Sequence, residues 1–203
     1  MNFSSKMEEL SVETLLEKSE SLKKRPEDEQ QLTSYDDMLE FTARNKKNLN
    51  RVTLVGLAHM VYGWMPTMIR HTSFKDDAKD WNECVKRGCL EEAFVERVSR
   101  LTNNSVVGAS KLLHFLNPQK YPIFDSKVYN SIVGDKDSGK DISKKIKDYI
   151  CYAKKIRDLV NDSREKSKIE KIKNNLIEKG CLQKGSDPSP IRVLELVLYA
   201  SGD

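Results

Sequence analysis

Lys111 and Asp125 are the residues on which any chemistry in this chain would turn. They share one stretch, Thr102 to Val128 (TNNSVVGASKLLHFLNPQKYPIFDSKV). It reads as the end of a helix, a tight turn closed by Gly108, a short apolar helix, a Pro-bounded loop and a new helix opening at Asp125. The lysine falls near the start of the apolar helix and the aspartate at the start of the next. An exposed lysine, with a pKa of about 10.4, is mostly the wrong species for attack at neutral pH. Partial burial among Leu112, Phe115 and Leu116, with positive potential from a helix N-terminus, favours the neutral amine, a nucleophile able to form a Schiff base. A carboxylate facing it would stabilise positive charge that develops nearby. Each residue also has a plain structural reading. Lys111 can be a solvated or phosphate-contacting lysine, and Asp125 can be the N-cap of the helix that begins SKVYN. Both roles of Asp125 can hold together, because a capping carboxylate still has a second oxygen.

The turn itself offers a binding function. Two helices joined through about six residues, Asn103 to Gly108, have the layout of a helix-hairpin-helix element. The glycine permits a tight backbone path, and free N–H groups at the start of the second helix can hold a phosphate oxygen. Ser105, Val106, Val107, Gly108 and Ser110 are the candidate DNA-binding positions of that turn, with Lys120 and Lys127 meeting either phosphate or water.

Pro122, Ile123, Phe124, Asp125, Ser126, Lys127 and Val128 resemble the proline, apolar, aspartate, small hydroxyl, basic, valine pattern that follows the hairpin in helix-hairpin-helix DNA glycosylases. The resemblance covers Leu90 to Ile132, and Val106 stands where the family's first hairpin glycine would be. It implies a base-excising enzyme in which Lys111 attacks the sugar C1′ of an extruded nucleotide and Asp125 supports the developing positive charge. A monofunctional enzyme using Asp125 and an activated water is the other form. Extruding a base costs a few kcal/mol and calls for an apolar or aromatic pocket, for which Trp64, Tyr62, His114 and Phe124 are candidates. His114, three residues after Lys111, shares its helix face. The resemblance implies DNA as partner, no cofactor, and a role in repair or in defence against modified phage DNA. Two other functions stay open: a non-catalytic DNA-binding module, and an all-α domain that binds a protein partner through its charged helices.

The elements that must position these residues read as helices throughout. A chain of 203 residues is long enough to bury a sizeable core, and the expected fold is an all-α multi-helix bundle. Residues 1–31 look like an N-terminal helical arm, with a helix from Val12 to Lys23 capped by Ser11. Residues 32–203 would be the main helical domain. Ser34 and Asn50 are candidate caps for the next two helices. The second of these, NRVTLVGLAHMVYGWMP, has so little polar surface that it is the expected central buried helix, with His59 a core histidine. An amphipathic helix is expected from Phe74 to Lys86 with Gly88 as its stop, then another over Leu90 to Leu101. Charged helices follow, one from Asp141 or Ser143 and one from Ser163, and a final apolar helix is capped by Ser189 with Pro190 as its first residue.

Composition narrows the classes. The 35 basic and 31 acidic residues leave a formal charge of +4, too small to identify a nucleic-acid binder without knowing where the charges lie. Cys84, Cys89, Cys151 and Cys181 lack paired metal-ligand spacing, so reduced thiols and no metal site are expected. No apolar run approaches the roughly 20 residues a bilayer demands, and a cytoplasmic setting is the simpler expectation.

Overall fold

Caps foreseen at Ser11, Asn50, Asp125 and Ser189 form in the computed structural model, which describes residues 3–23, 33–47, 49–65, 67–70, 80–134 and 141–202, whereas Ser34 makes no side-chain cap bond to the helix it precedes. Among these residues there are eleven α-helices and no strand. The first half holds α1 (Phe3–Glu9), α2 (Val12–Ser21), α3 (Tyr35–Asn45), α4 (Arg51–Trp64), α5 (Trp81–Arg87) and α6 (Glu92–Leu101). The second half holds α7 (Val106–Leu116), α8 (Ser126–Val133), α9 (Ile142–Asn161), α10 (Lys166–Glu178) and α11 (Pro190–Ser201). The side chains of Ser11, Asn50, Ser105, Asp125, Asp141 and Ser189 each accept a backbone N–H in the first turn of the helix that follows. Such caps satisfy amides that have no partner within the helix. At the other end, α5 stops at Gly88 in the left-handed region, φ 77°. Of the helix expected from Phe74, the part preceding Asp80 lies outside the described residues.

Two helices form the centre. Every residue of α7 except Val107 is buried, and α11 is buried continuously from Ile191 to Leu198. α7 packs against α3, α4, α6 and α9, and α11 against α2, α8, α9 and α10. α4, expected at the centre, is instead an outer wall. Its Leu54, Leu57, Ala58, Val61 and Tyr62 stripe faces inward, while Val52 is 81% exposed and His59 is on the surface. An apolar composition on all sides does not bury a helix when its outer face carries small residues such as Gly56 and Gly63, which leave open space around them.

Residues 3–23, part of the expected N-terminal helical arm, pack onto the main body with Phe3, Met7, Leu10, Val12, Leu15 and Leu22 in the core. Phe3 stacks on Tyr129 at 5.4 Å between ring centroids and meets Phe124 edge-on at 5.8 Å. Leu15 is wholly buried, and Ser19 accepts a hydrogen bond from Asn175 of α10 at 2.8 Å. The charged helices α9 and α10 turn isoleucine and leucine stripes inward, Ile146, Ile150 and Ile156 on one and Ile169, Ile172 and Leu176 on the other. None of the helices among the described residues is long and apolar enough to cross a membrane.

Candidate functional site: a buried lysine–aspartate pair

The turn between α6 and α7 is shorter than the sequence suggested. It runs over Thr102–Ser105, and its left-handed positions are Asn103 (φ 57°) and Asn104 (φ 55°). Asparagine tolerates that conformation better than most residues because its short polar side chain bonds locally. The Asn103 side chain accepts the Arg70 N–H at 2.6 Å and donates to Met68 O at 3.0 Å, so it also ties down the segment after α4.

Gly108 therefore does not close the turn; it is the third residue of α7, with its N–H taken by Ser105 Oγ at 3.2 Å. Its absent side chain matters for packing. A Cβ there would lie 2.7 Å from the Tyr62 hydroxyl and 2.8 Å from Thr102 Cβ. The hydroxyl is itself fixed by donating to Thr102 O at 2.7 Å. Gly108→Ala is expected to cost about 1–3 kcal/mol by overpacking, read as a lower urea midpoint at unchanged slope. Equal stability of variant and parent would mean that α4 and α6 can part freely.

Lys111 lies in the second turn of α7, beyond the reach of the helix's positive end, and burial is what acts on it. Its Nζ is 3.7 Å from Asp125 Oδ2, and each side chain keeps 11% of its surface exposed. That separation is an ion-pair contact longer than a normal hydrogen bond. The other carboxylate oxygen, Oδ1, accepts the Val128 N–H at 3.1 Å. One aspartate thus caps α8 with one oxygen and faces the lysine with the other. The Trp64 ring closes a further side, its centroid 5.3 Å from Nζ. Burial pushes the Lys111 amine below its ordinary pKa, towards the neutral form, against the opposing pull of Asp125 and Glu195.

Ser110 brings the two segments into register. Its hydroxyl accepts the Phe124 N–H at 3.0 Å, with Val107 O at 2.9 Å and Phe124 O at 3.2 Å as acceptors for its proton. The residue before Lys111 is thereby stitched to the residue before Asp125. Ser110 is buried and engaged in this bridge, so its hydroxyl faces the core.

Arg192 and Glu195 were not among the expected site residues, although two charges three residues apart in the apolar run IRVLELVLYA were a visible signal. Both are buried and paired at 2.5 Å across one turn of α11. The Arg192 guanidinium sits 4.5 Å from the Tyr35 ring centroid. Burial pushes the Glu195 carboxyl up to about 7, against the lowering effect of Arg192. Glu195 Oε1, Arg192 Nε and the Tyr152 hydroxyl have no hydrogen-bond partner among the described residues. The charges of Asp125 and Glu195 act on both Lys111 and Tyr152, so these buried groups form one electrostatically linked cluster. Such groups are costly to bury and need a structural or chemical reason.

The residues expected to line a base pocket are packed rather than open. His114 is fully buried, with Nδ1 2.7 Å from Tyr121 O and Nε2 2.6 Å from the Tyr35 hydroxyl. A carbonyl only accepts, so Nδ1 carries the proton and Nε2 accepts from the tyrosine. Burial lowers its pKa to about 3, which keeps the ring neutral. Tyr62 is held at Thr102 as described. Phe124 lies among Phe3, Tyr129, Tyr149 and Tyr152. Trp64 is half-buried and packs edge-on to Phe115 at 5.2 Å. Of the expected phosphate contacts, Val106 is buried, Ser105 and Val107 are half-buried, and Lys120 is exposed. Lys127 places its Nζ 4.9 Å from the Tyr199 ring centroid. A separate hollow lined by Tyr35, Asp36, Gln183, Ser186, Pro188 and Arg192 opens beside the Arg192 end of the cluster. Among the described residues no three or more His, Cys, Asp or Glu side chains are grouped to hold a metal ion.

Comparison with models of protein families, with curated proteins and with solved structures finds no match for this chain.

Proposed function

We propose that the protein is a helix-hairpin-helix-type DNA glycosylase with lyase chemistry, acting on a modified or damaged base in repair or in defence against modified phage DNA. The observation that carries this reading is the desolvated Lys111 amine held 3.7 Å from Asp125. In the reaction, Lys111 Nζ forms a bond to C1′ of the sugar as the bond from C1′ to the base breaks. The bonding pair leaves with the base, which takes up a proton. Asp125 faces the positive charge that builds on the sugar, and its carboxylate receives the proton lost from the amine. Opening of the sugar ring then leaves a Schiff base on the lysine.

Borohydride reduction on duplexes carrying modified bases tests the covalent step. Wild-type protein is expected to form a stable DNA adduct, and Lys111→Met to form none while keeping its helical circular dichroism. An adduct that persists in the folded variant would remove Lys111 from the mechanism.

One observation favours a second reading. The pair is nearly closed off, and Tyr62, His114 and Phe124 are committed to packing. A module that grips phosphate through the start of α7 and Lys120, without chemistry, needs no pocket. It would bind DNA of any sequence with steep salt dependence and release no product.

A further inference from the structure

The C-terminal cap of α5 brings two cysteines together, Cys84 and Cys89. The Cys89 N–H bonds to Cys84 O at 2.9 Å while the Gly88 N–H reaches Val85 O at 3.3 Å. This pairing is the Schellman closure, in which the side chains flanking the glycine cap meet, usually as an apolar contact. Here both are cysteines, and each thiol acts on the other's charge. A 2.9 Å bond between the two backbones, with standard covalent lengths, keeps their Cα atoms within about 7 Å, inside the range a disulfide spans.

The surroundings suit exchange chemistry. Both cysteines are partly exposed. The Arg87 guanidinium reaches Cys89 Sγ at 3.8 Å, where it would meet a negatively charged sulfur. Burial and the neighbouring thiol push Cys84 up to about 11, which suits it to the later, resolving step and not to the first attack. The backbone is held from behind: the Tyr121 hydroxyl is 3.1 Å from Cys84 O and 3.2 Å from Cys89 O, and Arg157 donates to Gly88 O at 2.7 Å and to Lys120 O.

We propose that Cys84 and Cys89 are a reactive dithiol that closes to an intramolecular disulfide by exchange with a small-molecule disulfide. The Cys89 thiol loses its proton and attacks one sulfur of glutathione disulfide, forming a mixed disulfide and releasing one glutathione thiolate, which takes up that proton. Cys84 then gives up its proton and attacks Cys89 Sγ, expelling the second glutathione as a thiol. Two protein thiols are oxidised and one glutathione disulfide is reduced to two thiols.

The test treats the folded full chain with glutathione disulfide and follows intact mass and tryptic peptides. Lys86 and Arg87 lie between the cysteines, so trypsin separates them unless the disulfide joins their peptides. The parent is expected to lose the mass of two hydrogens, retain no glutathione, and yield the peptides of Cys84 and Cys89 as one linked species. Cys84→Ser, which leaves the attacking thiol but removes the resolving one, is expected to retain one glutathione on Cys89. Glutathione accumulating on the parent, a linkage that maps to Cys151 or Cys181, or no reaction at Cys89 in either protein would overturn the proposal.

Discussion

Glu195→Leu is expected to destabilise the protein by about 3–5 kcal/mol, and Arg192→Leu by clearly less. The asymmetry follows from which charge is left behind. Without Glu195, the Arg192 guanidinium remains buried, charged and unable to shed its proton. Without Arg192, the Glu195 carboxyl can escape its cost by protonation, since burial already pushes it up to about 7 with the arginine present. Replacing both with leucine should recover much of the loss, because an apolar pair in place of a buried ion pair is often neutral or better. The same carboxyl sets a pH dependence. The unfolded chain gives up this proton near pH 4.3 and the folded chain near 7, so between those values the folded state binds more protons. The contribution to stability is complete below about pH 4 and is lost as pH rises through 7. Urea unfolding of parent and Glu195→Gln across that range measures it, and identical slopes for the two would sink the assignment.

Asp125→Asn is expected to slow base excision on the order of a hundredfold or more while leaving stability near that of the parent. Asparagine caps helices about as well as aspartate, so the bond to the Val128 N–H survives. What disappears is the negative charge opposite Lys111. Asp125 opposes the downward pull of burial on the lysine, so its loss moves the amine further towards the neutral form. The acid limb of the pH–rate profile should therefore shift to lower pH even as the maximal rate falls. A purely structural aspartate would lower both rate and stability without moving that limb. Excision at the parental rate by a normally folded variant would take Asp125 out of the chemistry.

Local features were legible in the sequence because local chemistry decides them. Ser11, Asn50, Asp125, Asp141 and Ser189 cap the helices they precede, and Gly88 ends α5 where a left-handed residue was expected. Features decided by distant partners were not legible. The burial of α7 and the surface position of α4 depend on which helices surround them, and the two runs of letters are equally apolar. Gly108 looked like a turn residue because glycine often is one, whereas its need arises from Tyr62, which lies across the fold. The meeting of Lys111 and Asp125 hangs on the Ser110 bridge to Phe124, a pairing no spacing rule encodes. Arg192 and Glu195 were readable as charges out of place, but not as charges that act on the lysine.

The aspartate-bearing cap is clasped from two remote parts of the chain. α1 reaches it through Phe3 on Phe124 and Tyr129, and α11 lies along α8 on another side. Enclosing α8 in this way requires closing a loop that spans most of the polymer, an entropic demand met late in folding. On a ribosome, α8 would lack its α11 side until the residues after Pro190 had emerged. In the finished protein, transient release of the short α1 alone would loosen the cap from one side, opening it at far lower cost than global unfolding.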